Sequence, residues 1–111
     1  MKQFSYSGLI IYIPETILEK SRGILWQESL LDSGCMLFPN CNWVHSFFIQ
    51  NPIKLYFLDK SFSVVNSIRM FTPNHFSPLV FSAHYTLETS LSFDENRLPE
   101  LLLYFQQTLS T

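Results

Sequence analysis

The sequence predicts an α+β domain, built as a small, mainly antiparallel sheet or a partly closed barrel with two helices. Two observations lead to this prediction. Short segments rich in β-branched and aromatic residues alternate with breaks of Pro, Asn, Asp and Gly, and two further segments have helical spacing. The order strand, helix, several strands, helix is typical of the α+β class. We expect one domain over residues 1–111, because no linker or internal repeat divides the chain.

The first part of the chain predicts a strand, a helix and a second strand. Residues 4–13 are rich in Ile, Tyr and Phe and end at a proline, which indicates a strand. Thr16 begins a capping-box pattern, and apolar residues at helical spacing follow it, so we expect a helix that ends near Trp26. A turn at residues 32–34 then leads into a short buried strand at residues 35–38.

The middle of the chain predicts three strands. Residues 43–50 are apolar on both alternating faces, which favours a strand in the centre of a sheet or barrel. Strands are also expected at residues 53–58 and 62–68. Asp59 begins the turn between them, and we expect its carboxylate to accept hydrogen bonds from nearby backbone N–H groups.

The last part of the chain predicts a loop, a strand and a helix. Residues 72–78 contain two prolines, which oppose both a helix and a strand, so we expect an irregular loop there. A long irregular loop in a small domain is commonly functional, which makes this loop a candidate binding edge. A final strand is expected at residues 80–89. An amphipathic helix follows at about residues 97–107, where a proline in the first turn is tolerated.

Composition narrows the classes of function. Apolar residues make up 47 % of the chain, aromatic residues 16 % and charged residues 14 %, which excludes a disordered protein. So few charges favour a protein partner or a homo-oligomer. A net charge of −2 with scattered Lys and Arg argues against nucleic acid. The sequence contains no run of about 18–20 apolar residues, so we expect no membrane span and a cytoplasmic protein with reduced cysteines.

Cys41 and His45 are the candidates for nucleophilic catalysis. A thiol becomes a nucleophile when a neighbouring base or cation lowers its pKa, and an imidazole serves as either. The sequence favours the simpler interpretation that Cys41 fills an apolar gap, because it shows neither an orienting group nor an oxyanion hole. Cys35, His75 and His84 add further potential metal ligands, but the spacing is not that of a zinc knuckle. We therefore predict no metal and no cofactor.

Five residues are candidates for binding a small molecule: Trp43, His45, Lys54, His75 and Glu88. Trp43 and His45 would line a cleft next to the loop at residues 72–78, although such aromatic residues also serve as core. Lys54 and Glu88 are charges in apolar segments, and buried charges require partners. We therefore expect an ion pair of Glu88 with either Lys54 or Arg22.

Four segments resemble the sequence pattern of one family, domain of unknown function 192. Residues 22–25 resemble its Arg-Gly-Leu-Leu turn, and residues 34–38 resemble its Gly-Met-Leu-Phe strand with one residue inserted. Residues 41–59 are similar to a long pattern that contains Cys, His, Phe-Phe, Pro-Ile and Phe-Leu-Asp. Residues 83–88 resemble its closing strand, which ends in Leu-Glu. The likeness covers about residues 5–89, and the predicted C-terminal helix extends beyond it.

The resemblance implies the fold more than the chemistry. The family has no settled biochemical role, and the matched positions are mostly apolar. Lys54 stands where the family usually has Asp, which reverses a charge at its most recognisable polar position. Ile49 and Gln50 replace the usual Met and Arg.

Three hypotheses for function remain, in the order in which the sequence favours them. The first is a non-catalytic binding or assembly module with an apolar surface. The second is a small-molecule-binding domain with a cleft near His45 and residues 72–78. The third is a thiol-dependent enzyme that uses Cys41 and His45. The absence of a complete catalytic set favours a protein that is not an enzyme.

Overall fold

The computed structural model describes residues 1–16, 28–47 and 49–109, which form a six-stranded sheet with an α-helix on one face. The strands follow the order β1-β2-β3-β6-β4-β5 across the sheet, and every neighbouring pair is antiparallel except β2 and β3. The strands are β1 (Lys2–Tyr6), β2 (Leu9–Ile13), β3 (Gly34–Pro39), β4 (Ile53–Leu58), β5 (Val64–Phe71) and β6 (Tyr85–Ser90). The described residues also form two 3-10 helices (Glu28–Asp32 and Glu95–Arg97) and one α-helix, α1 (Leu98–Leu109).

The predicted α+β class, the mainly antiparallel sheet and the C-terminal helix are confirmed. The alternative of a partly closed barrel is wrong for the described residues, because β1 and β5 are the two edges of an open sheet. The helix predicted from Thr16 to about Trp26 falls almost entirely on residues 17–27, which lie outside the described residues.

A hairpin replaces the single strand that was predicted at residues 4–13. Tyr6 pairs with Leu9, so only Ser7 and Gly8 form the turn between β1 and β2. Both turn residues have positive φ angles, 51° and 82°. Such a turn matches the right-handed twist of two antiparallel strands, which is why short hairpins use it. The Ser-Gly pair was the sequence signal for this turn.

The segment at residues 43–50 is not a strand where the structure describes it. It forms one isolated bridge, between His45 and Phe76, and is otherwise irregular. The strand predicted at residues 80–89 is correspondingly shorter and begins at Tyr85. Apolar alternation therefore indicated burial correctly for part of these segments but did not indicate their hydrogen-bond partners.

The turn between β4 and β5 confirms the role predicted for Asp59. Its carboxylate accepts hydrogen bonds from the N–H groups of Ser61 and Ser63, at 2.8 and 3.0 Å. Phe62 has a φ of 63°, and its buried ring stacks on Tyr85. Because Phe62 belongs to the turn, β5 begins two residues later than predicted.

The core lies on both faces of the sheet, because successive side chains of a strand alternate between faces. On the helix face, Leu101 and Phe105 of α1 are buried against the strands. We call the opposite side the loop face. The buried sheet residues of the helix face are Leu9, Ile11, Ile13, Cys35, Leu37, Tyr56, Leu58 and Leu87. Those of the loop face are Tyr12, Met36, Phe38, Ile53, Leu55, Phe57 and Phe71.

Gly34 is the position where a side chain would disturb the sheet most. It pairs with Ile10 in the parallel ladder of β2 and β3, and an added Cβ would overlap the Ile10 carbonyl oxygen. We expect Gly34→Ala to lower the free energy of unfolding by about 3 kcal/mol, because the obstacle is backbone that cannot rotate away. Urea denaturation monitored by circular dichroism measures the change.

Gly8→Asn is the matched control. The position has a positive φ and open space, and Asn tolerates that conformation, so we expect a cost of less than about 1 kcal/mol. Equal costs for the two substitutions would contradict the packing described for β2 and β3.

Candidate functional site

Residues 41–47 and 72–81 run beside each other as two irregular segments joined by hydrogen bonds. The Ser46 N–H donates to the His75 carbonyl at 2.9 Å, and the Ser46 carbonyl accepts from the Asn74 N–H at 2.9 Å. The buried Ser46 hydroxyl accepts from the His75 N–H, also at 2.9 Å. These bonds satisfy backbone groups that a strand ladder would otherwise satisfy.

Ser77 joins the same two segments a few residues further along. Its N–H donates to the Val44 carbonyl at 2.8 Å, and its buried hydroxyl accepts from the Val44 N–H at 2.9 Å. The Val80 N–H then donates to the Asn42 carbonyl at 3.0 Å. The two segments are therefore held in a fixed relation although neither is a regular strand.

Large apolar side chains on these segments are exposed to solvent. The rings of Trp43 and Phe76 stack with centroids 5.0 Å apart and planes 3° apart, and both side chains are about half exposed. The Phe47 ring meets Phe76 edge-on at 4.9 Å. Stacked and edge-on pairs are the arrangements that aromatic rings prefer. We use the name apolar patch for the four exposed large apolar side chains of the two segments, Trp43, Phe76, Leu79 and Phe81.

Cys41 and His45 each make a hydrogen bond with a nearby backbone group. The Cys41 thiol donates to the Trp43 carbonyl at 3.6 Å, and Cys41 also packs against the loop-face core. The His45 Nδ1 accepts from the Phe47 N–H at 3.3 Å. The second cysteine, Cys35, is fully buried, and desolvation raises the pKa of its thiol to about 12.

The exposed His75 ring contacts polar groups of its own loop. Its Nδ1 is 2.8 Å from the Pro73 carbonyl oxygen and 3.0 Å from the Thr72 hydroxyl. Of the five predicted ligand-binding residues, Trp43 and His45 both contact Phe76, whereas His75 contacts Thr72 and Pro73 of its own loop. The remaining two, Lys54 and Glu88, lie elsewhere.

Lys54 belongs to the helix face, where it contacts the start of the C-terminal helical region. Its Nζ donates to the Phe93 carbonyl at 3.0 Å and lies 3.6 Å from a Glu95 carboxylate oxygen. The Tyr56 hydroxyl donates to the same carboxylate at 2.9 Å, and this bond lowers the pKa of Glu95. Burial, together with the neighbouring Glu95, raises the pKa of Tyr56. Lys54 therefore serves to fasten residues 93–95 to β4.

Glu88 lies on the loop face, between Met36 of β3 and Leu55 of β4. It is buried, and among the described residues its Oε2 has no hydrogen-bond partner. Desolvation raises the pKa of this carboxyl to about 8. The expected pair with Lys54 is wrong, because the two side chains point to opposite faces of the sheet. The expected pair with Arg22 lies outside the described residues.

Two adjoining cavities lie at one end of the sheet, with volumes of about 460 and 270 Å³. Both are lined by Leu31, Asp32, Ser90 and Ser92, none of which the sequence marked as a candidate. Within the described ranges, no group of three or more His, Cys, Asp or Glu side chains is arranged to hold a metal ion.

Sequence reasoning missed the residues that build the patch, apart from Trp43. Ser46 and Ser77 are ordinary serines in the sequence, and only their burial in irregular backbone reveals their role. Phe76 lies within the predicted loop at residues 72–78, but the sequence did not identify it as a stacking partner of Trp43. Its position between two prolines was the available signal, since an aromatic residue in such a loop is readily exposed.

The fold and the patch define a small α+β domain with an open six-stranded sheet and an exposed apolar surface. None of the described helices is long and apolar enough to cross a membrane. No family model and no curated protein matches the chain.

Two solved structures have a similar fold. One is a protein of unknown function from Novosphingobium aromaticivorans, with a TM-score of 0.65 and 17 % identity, over 87 % of this chain and 76 % of that one. The other is a proposed transcription regulator from Sinorhizobium meliloti, with a TM-score of 0.61 and 12 % identity, over 74 % of this chain and 68 % of that one. At these identities the likeness extends to the fold alone.

Glu88 gives a pH dependence of stability whose sign follows from its raised pKa. A Glu carboxyl in the unfolded chain ionises near pH 4.5, whereas the buried Glu88 keeps its proton up to about pH 8. Between these values the unfolded chain binds fewer protons, so the free energy of unfolding falls as pH rises. We expect a loss on the order of 4 kcal/mol from pH 4.5 to 8, measured by urea denaturation across pH.

Glu88→Gln removes the titrating group and is expected to abolish this part of the pH dependence. Glu100→Gln, on the exposed surface of α1, is the control and should retain it. A Glu88→Gln protein that is much less stable than wild type only above pH 7 would contradict the account, because that result indicates an ionised and paired Glu88.

Proposed function

We propose that the chain is a small non-catalytic binding or assembly module and that the apolar patch is its binding surface. One observation carries the proposal. Four large apolar side chains are exposed on two segments that the buried hydroxyls of Ser46 and Ser77 hold in a fixed relation. Aromatic anchors that are already ordered contribute most to binding, since burying them costs little conformational entropy.

Exposure of the patch is large enough to drive association. Phe81 exposes 84 % of its surface, more than any other large apolar side chain of the described residues. Burying one such side chain contributes about 1.5–3 kcal/mol. Single exposed apolar residues are ordinary, but several on neighbouring segments are typical of interaction sites.

A second candidate function is small-molecule binding at the same place. The rings of Trp43 and His45 both lie against Phe76, and a flat ligand would stack on the Trp43 ring and bond to the His45 imidazole. The thiol-dependent enzyme has less support, because the Cys41 thiol donates to the Trp43 carbonyl and the His45 Nδ1 accepts from the Phe47 N–H. Activation of the thiol would require these bonds to break.

We also propose a family and a cellular location for the chain. The resemblance at residues 22–25, 34–38, 41–59 and 83–88 supports membership of the domain of unknown function 192 family. Cys35, whose buried thiol is not in a disulfide, supports a cytoplasmic location, where thiols stay reduced.

Photo-cross-linking in cells that express the chain tests the binding surface. A photoreactive phenylalanine analogue replaces Phe81 in one variant and Leu103 in a control. Leu103 is 52 % exposed, on α1 and outside the patch. We expect protein adducts to form from position 81 in about tenfold higher yield, because a partner covers the patch.

Equal adduct yields from the two positions would overturn the proposed function. Mass spectrometry of the adducts identifies whether the cross-linked protein is this same chain or another. Circular dichroism of both variants confirms that each retains the fold of the wild type.

A further inference from the structure

We propose that the two adjoining cavities at one end of the sheet form one cleft, which binds a small primary amine with an apolar body. The cleft shares no residue with the apolar patch, so this inference goes beyond the proposed function and does not depend on it. Three features carry it: the size of the cleft, its division into an apolar and a charged part, and the balance of charge in the charged part.

The cleft is large enough to hold a whole small molecule. The two cavities, of about 460 and 270 Å³, share four lining residues: Leu31, Asp32, Ser90 and Ser92. Sites for small ligands commonly measure about 300–1,000 Å³. Local hydrogen bonds order the shared wall, since the Ser90 and Ser92 hydroxyls lie 2.9 Å apart and the Phe93 N–H donates to the Ser90 carbonyl at 3.2 Å.

The two parts of the cleft differ in chemistry. Besides the shared residues, the larger cavity is lined by three apolar side chains and one amide: Pro52, Ile53, Leu91 and Asn51. The charged side chains of Asp94 and Arg97 line only the smaller cavity, where the shared Asp32 joins them. A ligand that fills both parts therefore has an apolar body and one polar end.

The smaller cavity has an excess of negative charge, which favours a cationic end on the ligand. The charge of Arg97 is already engaged: its Nη2 donates to the Ser7 carbonyl at 2.7 Å, and its Nε lies 3.4 Å from a Glu100 carboxylate oxygen. Among the residues that the structure describes, neither Asp32 nor Asp94 forms an ion pair. An anionic ligand would meet these two like charges, whereas a cation is attracted by both.

An ammonium group matches the acceptors of the smaller cavity. One oxygen of Asp94 accepts from the Asn96 N–H at 3.0 Å, which leaves the other oxygen for a ligand. Asp32 supplies a second carboxylate, and the hydroxyls of Ser90 and Ser92 can accept as well as donate. An ammonium has three N–H donors and no acceptor, so it makes hydrogen bonds with all of these groups.

NMR titration of the purified full chain with three ligands of nearly equal shape tests the inference. Benzylamine carries a positive charge, benzyl alcohol is neutral, and benzoate carries a negative charge. We expect benzylamine to shift the amide signals of Ser33, Leu91 and Ser92, with a dissociation constant on the order of 1 mM. The alcohol and benzoate should bind at least about tenfold more weakly, because they lack a charge-assisted bond to a carboxylate.

A pair of aspartate variants tests the charged part. Asp32→Asn and Asp94→Asn are each expected to raise the dissociation constant of benzylamine by about fivefold. Asn still caps the helical turn at position 94, so the fold is retained. Asp59→Asn is the matched control, because it removes the same charge after β4, at the opposite end of that strand from the cleft. This control should change the constant by less than about twofold.

A leucine variant tests the apolar part. Leu91 is partly exposed and lines only the larger cavity. Leu91→Ser should weaken benzylamine and benzyl alcohol by the same factor, about threefold or more, because both ligands place the same ring there.

Benzoate that binds as tightly as benzylamine would overturn the inference. So would Asp32→Asn and Asp94→Asn proteins that bind benzylamine as the Asp59→Asn protein does. Nα-acetyl-lysine methylamide presents an ammonium on a protein-like side chain. Tighter binding of this compound than of benzylamine would replace the small amine by a lysine of a partner protein and would overturn the inference. None of these results changes the adduct yield from position 81, so the proposed function stands or falls separately.

Discussion

The pairing of β6 on both sides is the constraint on which the rest of the structure depends. β6 comes last among the strands in the chain, yet it lies between β3 and β4. Its insertion requires the residues before it to return alongside those that follow β3. The Cys41 N–H donates to the His84 carbonyl at 3.1 Å, and the Thr86 hydroxyl donates to the Cys41 carbonyl at 2.9 Å. The two irregular segments that form the patch thus meet because β6 occupies the centre of the sheet.

Because both faces of the sheet are buried, the lysine and the glutamate of the central strands, Lys54 and Glu88, need special placement. Lys54 reaches the end of the helix face and is neutralised by Glu95. Glu88 is held on the loop face by its position in β6 and keeps its proton near neutral pH. A neutral carboxyl in the core costs less than an ionised one but still lacks a full set of hydrogen bonds. The free energy that the apolar core provides has to offset this cost.

Local signals in the sequence predicted local structure well. Asp59 marked its turn because a carboxylate that accepts neighbouring N–H groups requires no distant partner. The apolar spacing of Leu101 and Phe105 likewise identified α1. The strand order was not predictable, because a single sequence contains no signal for which strands pair when they are far apart along the chain. The candidate site was predictable only in part. The sequence placed Trp43 and His45 near the loop at residues 72–78, and both contact Phe76 of that loop. The buried serines that order the two segments, Ser46 and Ser77, have no recognisable sequence pattern.

Hydrogen exchange at individual amides, followed by NMR, tests most directly whether the patch is rigid. The account predicts slow exchange for the N–H groups of Ser46, Asn74, Ser77 and Val80, each of which donates across the paired segments. Ser82, exposed in the adjoining turn, should exchange quickly. If all five exchange at the fast rate of Ser82, the segments are not held together, and a preformed binding surface is contradicted.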